Sequence, residues 1–168
     1  VTTGSGSVIF DTTDPTFTVD GNSSDYATSV ELGASYSAGT IANIVDESST
    51  TQAVGGDTVN TNTATNYSVT YTVSDAAGNS TVITETVTVS DTTDPTFTVD
   101  GNSSDYATSV ELGASYSACL LSTIVAADYP PQVVLGDPLI TKTTTNYSVT
   151  YTISNAAGNN TVNTETLT

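Results

Sequence analysis

Apolar and polar residues alternate over short stretches of this chain, the pattern of a strand with one face in a core and one in water. The clearest stretch is Tyr67–Val73, where tyrosine and valine alternate with serine and threonine. The next residues, Asp75–Asn79, are typical of a turn in which Gly78 takes a positive φ. Thr81–Val89 then alternates again, so this part of the sequence predicts a β-hairpin.

Shorter alternating stretches precede the hairpin. Phe17 and Val19 alternate with threonine, and Val30 and Leu32 flank a glutamate. Pro15 stands just before the first of these stretches, where its missing N–H disturbs no ladder. Apolar residues nowhere recur with a helical period, so several short strands with turns between them predict an antiparallel β-sandwich.

The whole pattern occurs twice, 80 residues apart. Asp11–Ala38 returns letter for letter as Asp91–Ala118, and the hairpin at Asn66–Thr88 returns with a few substitutions at Asn146–Thr168. A period this long indicates two copies of a small domain, each able to bury a modest core. We predict three segments: an N-terminal strand segment at residues 1–10, repeat 1 at residues 11–90 and repeat 2 at residues 91–168.

The motifs of both copies resemble a known family. DTTDPT at the start, NYSVTYTVSDAAGN in the hairpin and the closing TVTVSDTTDP resemble bacterial immunoglobulin-like and hyalin-repeat-like domains of large surface and extracellular proteins. The resemblance covers both repeats and implies an all-β chain of two tandem immunoglobulin-like antiparallel β-sandwiches, extracellular or at the cell surface, with no catalytic residue. Repeat 2 departs from it at Asn155, which replaces an aspartate, and in a divergent middle, Cys119–Thr145.

Charge narrows the classes of partner. The chain has 18 acidic residues against one basic residue, Lys142, for a net charge of −17. Nucleic acids and anionic membranes are therefore poor partners, because both are bound by clustered lysine and arginine. The sequence has no histidine and no apolar run long enough for a membrane span. We expect no enzymatic activity and no membrane insertion.

The first ten residues have two interpretations. By the repeat spacing they correspond to the last strand of a domain, yet no domain precedes them in this sequence. They are either a remnant of a longer stalk or a strand donated to a neighbouring subunit, which would add main-chain hydrogen bonds at a sheet edge. A head-to-tail contact of this kind makes an open homopolymer.

The divergent middle of repeat 2 is more apolar than that of repeat 1, which indicates either drift in loops and edge strands or a contact with another subunit. Cys119 is either a small buried group or half of an intermolecular disulfide. The residues predicted to contact another subunit, here and in the first ten residues, are Val8, Ile9, Phe10, Leu120, Leu121, Leu135 and Leu139.

Acidic residues cluster where one repeat meets the next. In a sandwich of this kind the first strand begins at the same end as the turn of the last hairpin. Carboxylate and amide oxygens would converge there, as Ca²⁺ requires. The alternative is that these residues cap turns and keep the surface soluble. The candidate calcium ligands are Asp11, Asp14 and Asp75, their copies Asp91, Asp94 and Asn155, and, facing the junction from the other side, Asp20 and Asp25.

Six asparagines stand in Asn-x-Ser/Thr triplets, which predicts glycans: Asn22, Asn66, Asn79, Asn102, Asn146 and Asn159. From all these features we predict a structural subunit of an extracellular filament or surface assembly. The alternative is a stalk segment of a calcium-stiffened adhesin. A third hypothesis is a threonine array that binds ice, sugar or mineral, using residues such as Thr84, Thr86 and Thr88.

Overall fold

The computed structural model describes residues 10–116, 121–125, 132–135 and 146–168, with backbone only at 132–135. The described residues form twelve β-strands, and the chain divides into two compact units, Val1–Ser90 and Asp91–Thr168. Within the described ranges, no helix has the length and apolar character needed to cross a membrane. The predicted all-β fold is confirmed.

The first unit contains two sheets. A two-stranded sheet pairs β1 with β3, and a four-stranded sheet has the order β2-β6-β5-β4. Its strands are β1 (Thr16–Val19), β2 (Tyr26–Glu31), β3 (Ile41–Val45), β4 (Thr50–Gly56), β5 (Asn66–Asp75) and β6 (Ser80–Ser90).

The predicted hairpin is present as β5 and β6, which are antiparallel from Asn66↔Thr88 to Ser74↔Ser80. Gly78 has a φ of +100° in the turn between them, as predicted. One pair differs from the antiparallel prediction, because β2 runs parallel to β6 from Tyr26↔Glu85 to Glu31↔Ser90. Alternation shows which face of a strand is buried, but it does not show the partner or its direction.

The core of the first unit lies between the two sheets. The inward residues of the hairpin, among them Tyr71, Val73 and Val87, pack with Phe17 and Val19 of β1. Fully burying a side chain of this size contributes about 1.5–3 kcal/mol. The alternation along the hairpin therefore marks the residues that hold the two sheets together.

The second unit repeats this order in β7–β9 and β8-β12-β11-β10, with β8 again parallel to β12. Its edge strands β8 and β10 have three and four residues, whereas their counterparts β2 and β4 have six and seven. The strands are β7 (Thr96–Val99), β8 (Tyr106–Thr108), β9 (Leu121–Val125), β10 (Gln132–Leu135), β11 (Tyr147–Ser154) and β12 (Asn160–Leu167).

Candidate functional site

Three aspartates meet at one end of repeat 1. Asp75 is the last residue of β5, Asp46 follows β3, and Asp11 lies before β1. One carboxylate oxygen from each lies within 4.8 Å of the other two. We call Asp11, Asp46 and Asp75 the acidic triad.

Local hydrogen bonds hold the Asp75 carboxylate in place and tie it to the backbone of Asp11. Asp75 Oδ1 accepts hydrogen bonds from the backbone N–H groups of Gly78 (2.7 Å) and Asn79 (2.8 Å), and its Oδ2 accepts one from Asn79 Nδ2 at 2.7 Å. Asn79 Nδ2 also donates to the carbonyl oxygen of Asp11 at 3.1 Å. The hairpin turn therefore fixes Asp75 and ties it to Asp11.

Asp46 is held on one side only. Its Oδ2 accepts hydrogen bonds from Ser48 N at 2.9 Å and Ser48 Oγ at 2.8 Å. Its Oδ1 is buried and has no hydrogen-bond partner among the described residues. A buried carboxylate oxygen without a partner is unfavourable unless a donor or a cation reaches it.

Asp75 is the triad residue whose ionisation is favoured by its surroundings. Burial by itself raises the pKa of Asp75, but hydrogen bonds from the Asn79 side chain and from the backbone N–H groups of the turn outweigh it and lower that pKa. Asp75 is therefore ionised close to two other carboxyl groups. Oxygen-only donors of this kind suit a hard cation such as Ca²⁺, which takes six to eight oxygens, the rest supplied by carbonyl groups or water.

The predicted ligands in repeat 1 divide into two groups. Asp11 and Asp75 lie together as predicted, whereas Asp14 is exposed and outside the triad. Asp20 follows the other end of β1, where its Oδ1 accepts a hydrogen bond from Thr40 N at 2.9 Å. Asp25 Oδ1 likewise accepts one from Thr84 N at 2.8 Å. Both bind backbone of their own repeat.

Asp46 was not among the predicted ligands. It lies far from Asp11 and Asp75 in the sequence, and only the pairing of β1 with β3 brings it to the same end of the repeat. The sequence feature that could have indicated Asp46 as a ligand is an acidic pair, Asp46 and Glu47, directly after an apolar stretch.

The same end of repeat 2 is built differently. Asn155 Nδ2 donates to Asp91 Oδ2 at 2.9 Å and to the carbonyl oxygen of Thr93 at 3.1 Å. Asp94 is exposed. The counterpart of Asp46 in the sequence is Ala126, which lies outside the described residues. In repeat 2, the amide of Asn155 therefore donates a hydrogen bond to the Asp91 carboxylate, whereas in repeat 1 a bound cation could stabilise the carboxylates of the triad.

A second polar cluster, which was not predicted from the sequence, lies in the core of each repeat. Glu85 is buried, and its carboxylate accepts hydrogen bonds from Thr28 Oγ1 (2.7 Å), Tyr36 Oη (2.8 Å) and Tyr71 Oη (2.7 Å). In repeat 2 the buried Glu165 accepts hydrogen bonds from Tyr116 and Tyr151. The available signal was an acid at an inward position of the last strand in both copies.

Hydroxyl donors keep this core glutamate charged. Burial acts to raise the pKa of Glu85, but hydrogen bonds from Tyr71, Thr28 and Tyr36 outweigh it and lower that pKa. Burial, followed by the hydrogen bond to Glu85, raises the pKa of Tyr36 and of Tyr71 above the usual tyrosine value. The arrangement fits a structural role, because all of its groups are engaged within the core.

The glycosylation prediction stays a prediction, although the six asparagines differ in accessibility. Asn79 and Asn159 use their Nδ2 atoms in hydrogen bonds to the backbone of Asp11 and Asp91, and both are partly buried. An intact mass equal to the sequence mass would exclude glycans. The other four asparagines are exposed: Asn22, Asn66, Asn102 and Asn146.

The predicted assembly residues are only partly described. Phe10 is 81% exposed. Leu121 packs partly against the core of its own repeat, and Leu135 lies in β10 opposite Tyr151. The remaining residues of this prediction, Val8, Ile9, Leu120 and Leu139, lie outside the described ranges, as does Cys119.

The threonine array lies on the outer face of the four-stranded sheet. Thr84, Thr86 and Thr88 of β6 alternate with buried residues, and Thr84 stands opposite Thr70 of β5. These positions are uncharged and partly or fully exposed. Binding to ice, sugar or mineral remains a prediction.

Residues 17–89 match the family described as bacterial surface protein, Ig-like domain. This match covers most of repeat 1. The resemblance seen in the sequence is thereby confirmed, and the same motifs return in sequence as repeat 2. The protein is extracellular or displayed at a cell surface.

Among solved structures, the chain is similar to Drosophila N-cadherin EC1-4, with 11% identity and a TM-score of 0.37, over 92% of this chain and 49% of that one. It is also similar to protocadherin gamma C5 EC1-3, with 13% identity and a TM-score of 0.33, over 92% and 67% of the two chains. The chain thus spans about half of the N-cadherin fragment. No curated protein matches the sequence significantly.

Proposed function

We propose that this protein is a structural subunit of an extracellular filament or surface assembly, joined to its neighbours by strand donation from residues 1–10. The observation that supports the proposal is that a repeat matching the surface Ig-like family is followed directly by a second compact unit with the same sequence motifs, since tandem small domains build length. The proposed role is non-enzymatic, with self-association as its main interaction.

The residues around Asp11 support the donation. Asp11 and Asp91 make the same local contacts: each accepts a hydrogen bond at 3.0 Å from the N–H two residues on, and each carbonyl accepts one from the asparagine of a hairpin turn. The residues directly before Asp91 form β6, a strand of another repeat. Residues 1–10 stand in the same relation to Asp11.

Electron microscopy of the purified protein tests the proposal, with a variant lacking residues 1–10 as the comparison. We expect regular filaments from the full chain and dispersed particles from the shortened chain. Dispersed rods from the full chain would contradict self-assembly, and filaments from the shortened chain would contradict strand donation.

The acidic triad favours a second candidate, a stalk segment stiffened by calcium. Ca²⁺ bound by Asp11, Asp46 and Asp75 would hold the chain before β1 against the end of repeat 1 and neutralise the repulsion among the three carboxylates. Small-angle scattering with calcium and with a chelator tests this role. A stalk would stay monomeric and change its flexibility with calcium, whereas identical scattering curves would contradict it.

A further inference from the structure

We propose that the β4 edge of repeat 1, Thr50–Gly56, is the surface that accepts residues 1–10 of a second copy of the chain. This inference rests on the proposed strand donation and names the place where the donated strand docks. Three observations support it: β4 is exposed, β4 contains no charged residue, and residues 1–10 contain no acidic residue and end in β-branched and aromatic residues.

The β4 edge is open for pairing. Among the residues that the structure describes, β4 is the last strand of its sheet and pairs with β5 on one side only. Six of its seven residues are exposed, and Val54 leaves 55% of its surface exposed. The unpaired N–H and C=O groups of such a strand can form a ladder with an incoming strand.

The β4 edge also lacks the features that usually block pairing, which are charges, prolines and short length. Thr50–Gly56 contains no charged residue and no proline, and it is the longest edge strand in the described part of the chain. The opposite edge of the same sheet, β2, ends on Glu31. In repeat 2 the corresponding strand, β10, follows Pro130 and Pro131 in the sequence.

Residues 1–10 have the composition that this edge requires. The segment VTTGSGSVIF contains no acidic residue, in a chain whose net charge is −17. Two copies repel one another at most surfaces, so contact between an uncharged strand and an uncharged edge adds the least repulsion. Ser7–Phe10 supplies β-branched and aromatic residues, and Phe10 is 81% exposed.

Cysteine cross-linking between copies tests the docking directly. Chains carrying Val54→Cys are mixed with chains carrying Ser7→Cys, Val8→Cys or Ile9→Cys, all with Cys119→Ser, and assembled under mild oxidation. Paired strands bring Cα atoms within the range that a disulfide spans. We expect one of the three donor positions to give a covalent dimer, and Val54→Cys alone to give much less.

Two outcomes would overturn the inference while leaving self-assembly intact. One is normal filaments with no cross-link at any donor position. The other is a double variant, such as Val54→Cys with Ile9→Cys, that closes a loop only within single chains, since the segment would then pair with its own repeat. Failure of the unmodified chain to form filaments would instead contradict the proposed function.

A charge on the edge provides an independent measurement. Val54→Lys places an ammonium group on the β4 edge, a substitution that discourages edge pairing without requiring a change within β4. The matched control is Val134→Lys, at the corresponding position of β10, which adds the same charge. We expect Val54→Lys to abolish filaments and Val134→Lys to leave them. Equal behaviour of the two folded variants would overturn the inference.

Discussion

Repeat 1 and repeat 2 share 28 identical consecutive residues, and several of the contacts within that stretch are the same. Asp25 and Asp105, for example, each accept a hydrogen bond from a backbone N–H of the last strand, at 2.8 and 2.7 Å. Other features differ. Within the identical stretch, β2 has six residues and β8 has three. Outside it, repeat 1 has the seven-residue edge strand β4 and completes the acidic triad, whereas repeat 2 has an amide in place of Asp75.

Two further substitutions make repeat 2 the less favourable version of the fold. Ile83 is buried in repeat 1, and its counterpart Asn163 is buried with no hydrogen-bond partner for Nδ2 among the described residues. Asn43 has a φ of +52°, and its counterpart Thr123 has a φ of +53°, which a β-branched residue rarely adopts. The same frame therefore tolerates substitutions that lower its stability, and repeat 1 is its better-packed form.

The largest expected effect comes from exchanging the core residues. Ile83→Asn should destabilise repeat 1 by about 3–5 kcal/mol, because it removes apolar packing and buries an unpaired amide. Asn163→Ile should stabilise repeat 2 by about 1–2 kcal/mol. Denaturant unfolding measures both effects, and hydrogen exchange with mass spectrometry assigns each to a repeat.

The control for this exchange is Val82→Asn, since Val82 precedes Ile83 and is exposed. A surface substitution of this kind should change the free energy of unfolding by less than about 0.5 kcal/mol. A destabilised Asn163→Ile variant would show that the amide of Asn163 has a partner and that the contrast between the two cores is wrong.

The next effect concerns a feature that the two repeats share. Glu85→Gln should destabilise repeat 1 by about 1–3 kcal/mol at neutral pH, because a charged acceptor of three hydroxyl groups is lost. Glu165→Gln should have a similar effect on repeat 2. Unfolding curves of the two variants show whether both repeats lose a similar free energy of unfolding.

The pH dependence of stability follows from the directions of the pKa shifts in this cluster. Because folding lowers the pKa of Glu85, its contribution is complete above the usual value of 4.5 and is lost as pH falls through the lowered value. Because folding raises the pKa of Tyr36 and Tyr71, their contribution is complete below 10.0 and is lost as pH rises further. Glu85→Gln should therefore flatten the acid side of the stability profile. An unchanged acid slope would contradict this assignment.

Calcium should stabilise repeat 1 more than repeat 2, and this difference in stability should be smaller than the effects of the core substitutions. At ten times the Kd, binding would stabilise repeat 1 by about 1.4 kcal/mol, with little effect on repeat 2. Asp75→Asn converts one triad residue to its counterpart in repeat 2 and should remove the calcium effect. The matched control is Asp14→Asn, since Asp14 is exposed and outside the triad. Calorimetric scans with calcium and with chelator measure the difference, and equal shifts in both repeats would count against the triad.

The smallest effect is expected at the left-handed residue of β3 and β9. Thr123→Asn should stabilise repeat 2 by about 1 kcal/mol, because asparagine tolerates a positive φ better than threonine. Asn43→Thr should destabilise repeat 1, where Asn43 Nδ2 also donates to Thr18 Oγ1 at 3.0 Å. The thermal midpoints of the reciprocal pair measure the difference, and no change in either would mean that the strain is negligible.

The sequence predicted the parts of the fold that depend on local pattern. Alternation and Gly78 predicted the β5–β6 hairpin and its buried face, and the expected sandwich topology placed Asp11 near Asp75. The parallel pairing of β2 with β6 could not be predicted in this way, because alternation is the same for either direction. Asp46 was missed because its position depends on the pairing of β1 with β3.

The direction of β6 has a mechanical consequence. β6 ends at Ser90 and continues directly into Asp91, while its sides are bonded to β2 in parallel and to β5 in antiparallel register. A pulling force on Asp91 along β6 would slide this strand past both neighbours and load their hydrogen bonds together, in shear. Peeling would break the same bonds one after another. Repeat 1 is thus connected to the next domain through a strand that is hydrogen-bonded on both sides, which suits a part that carries tension.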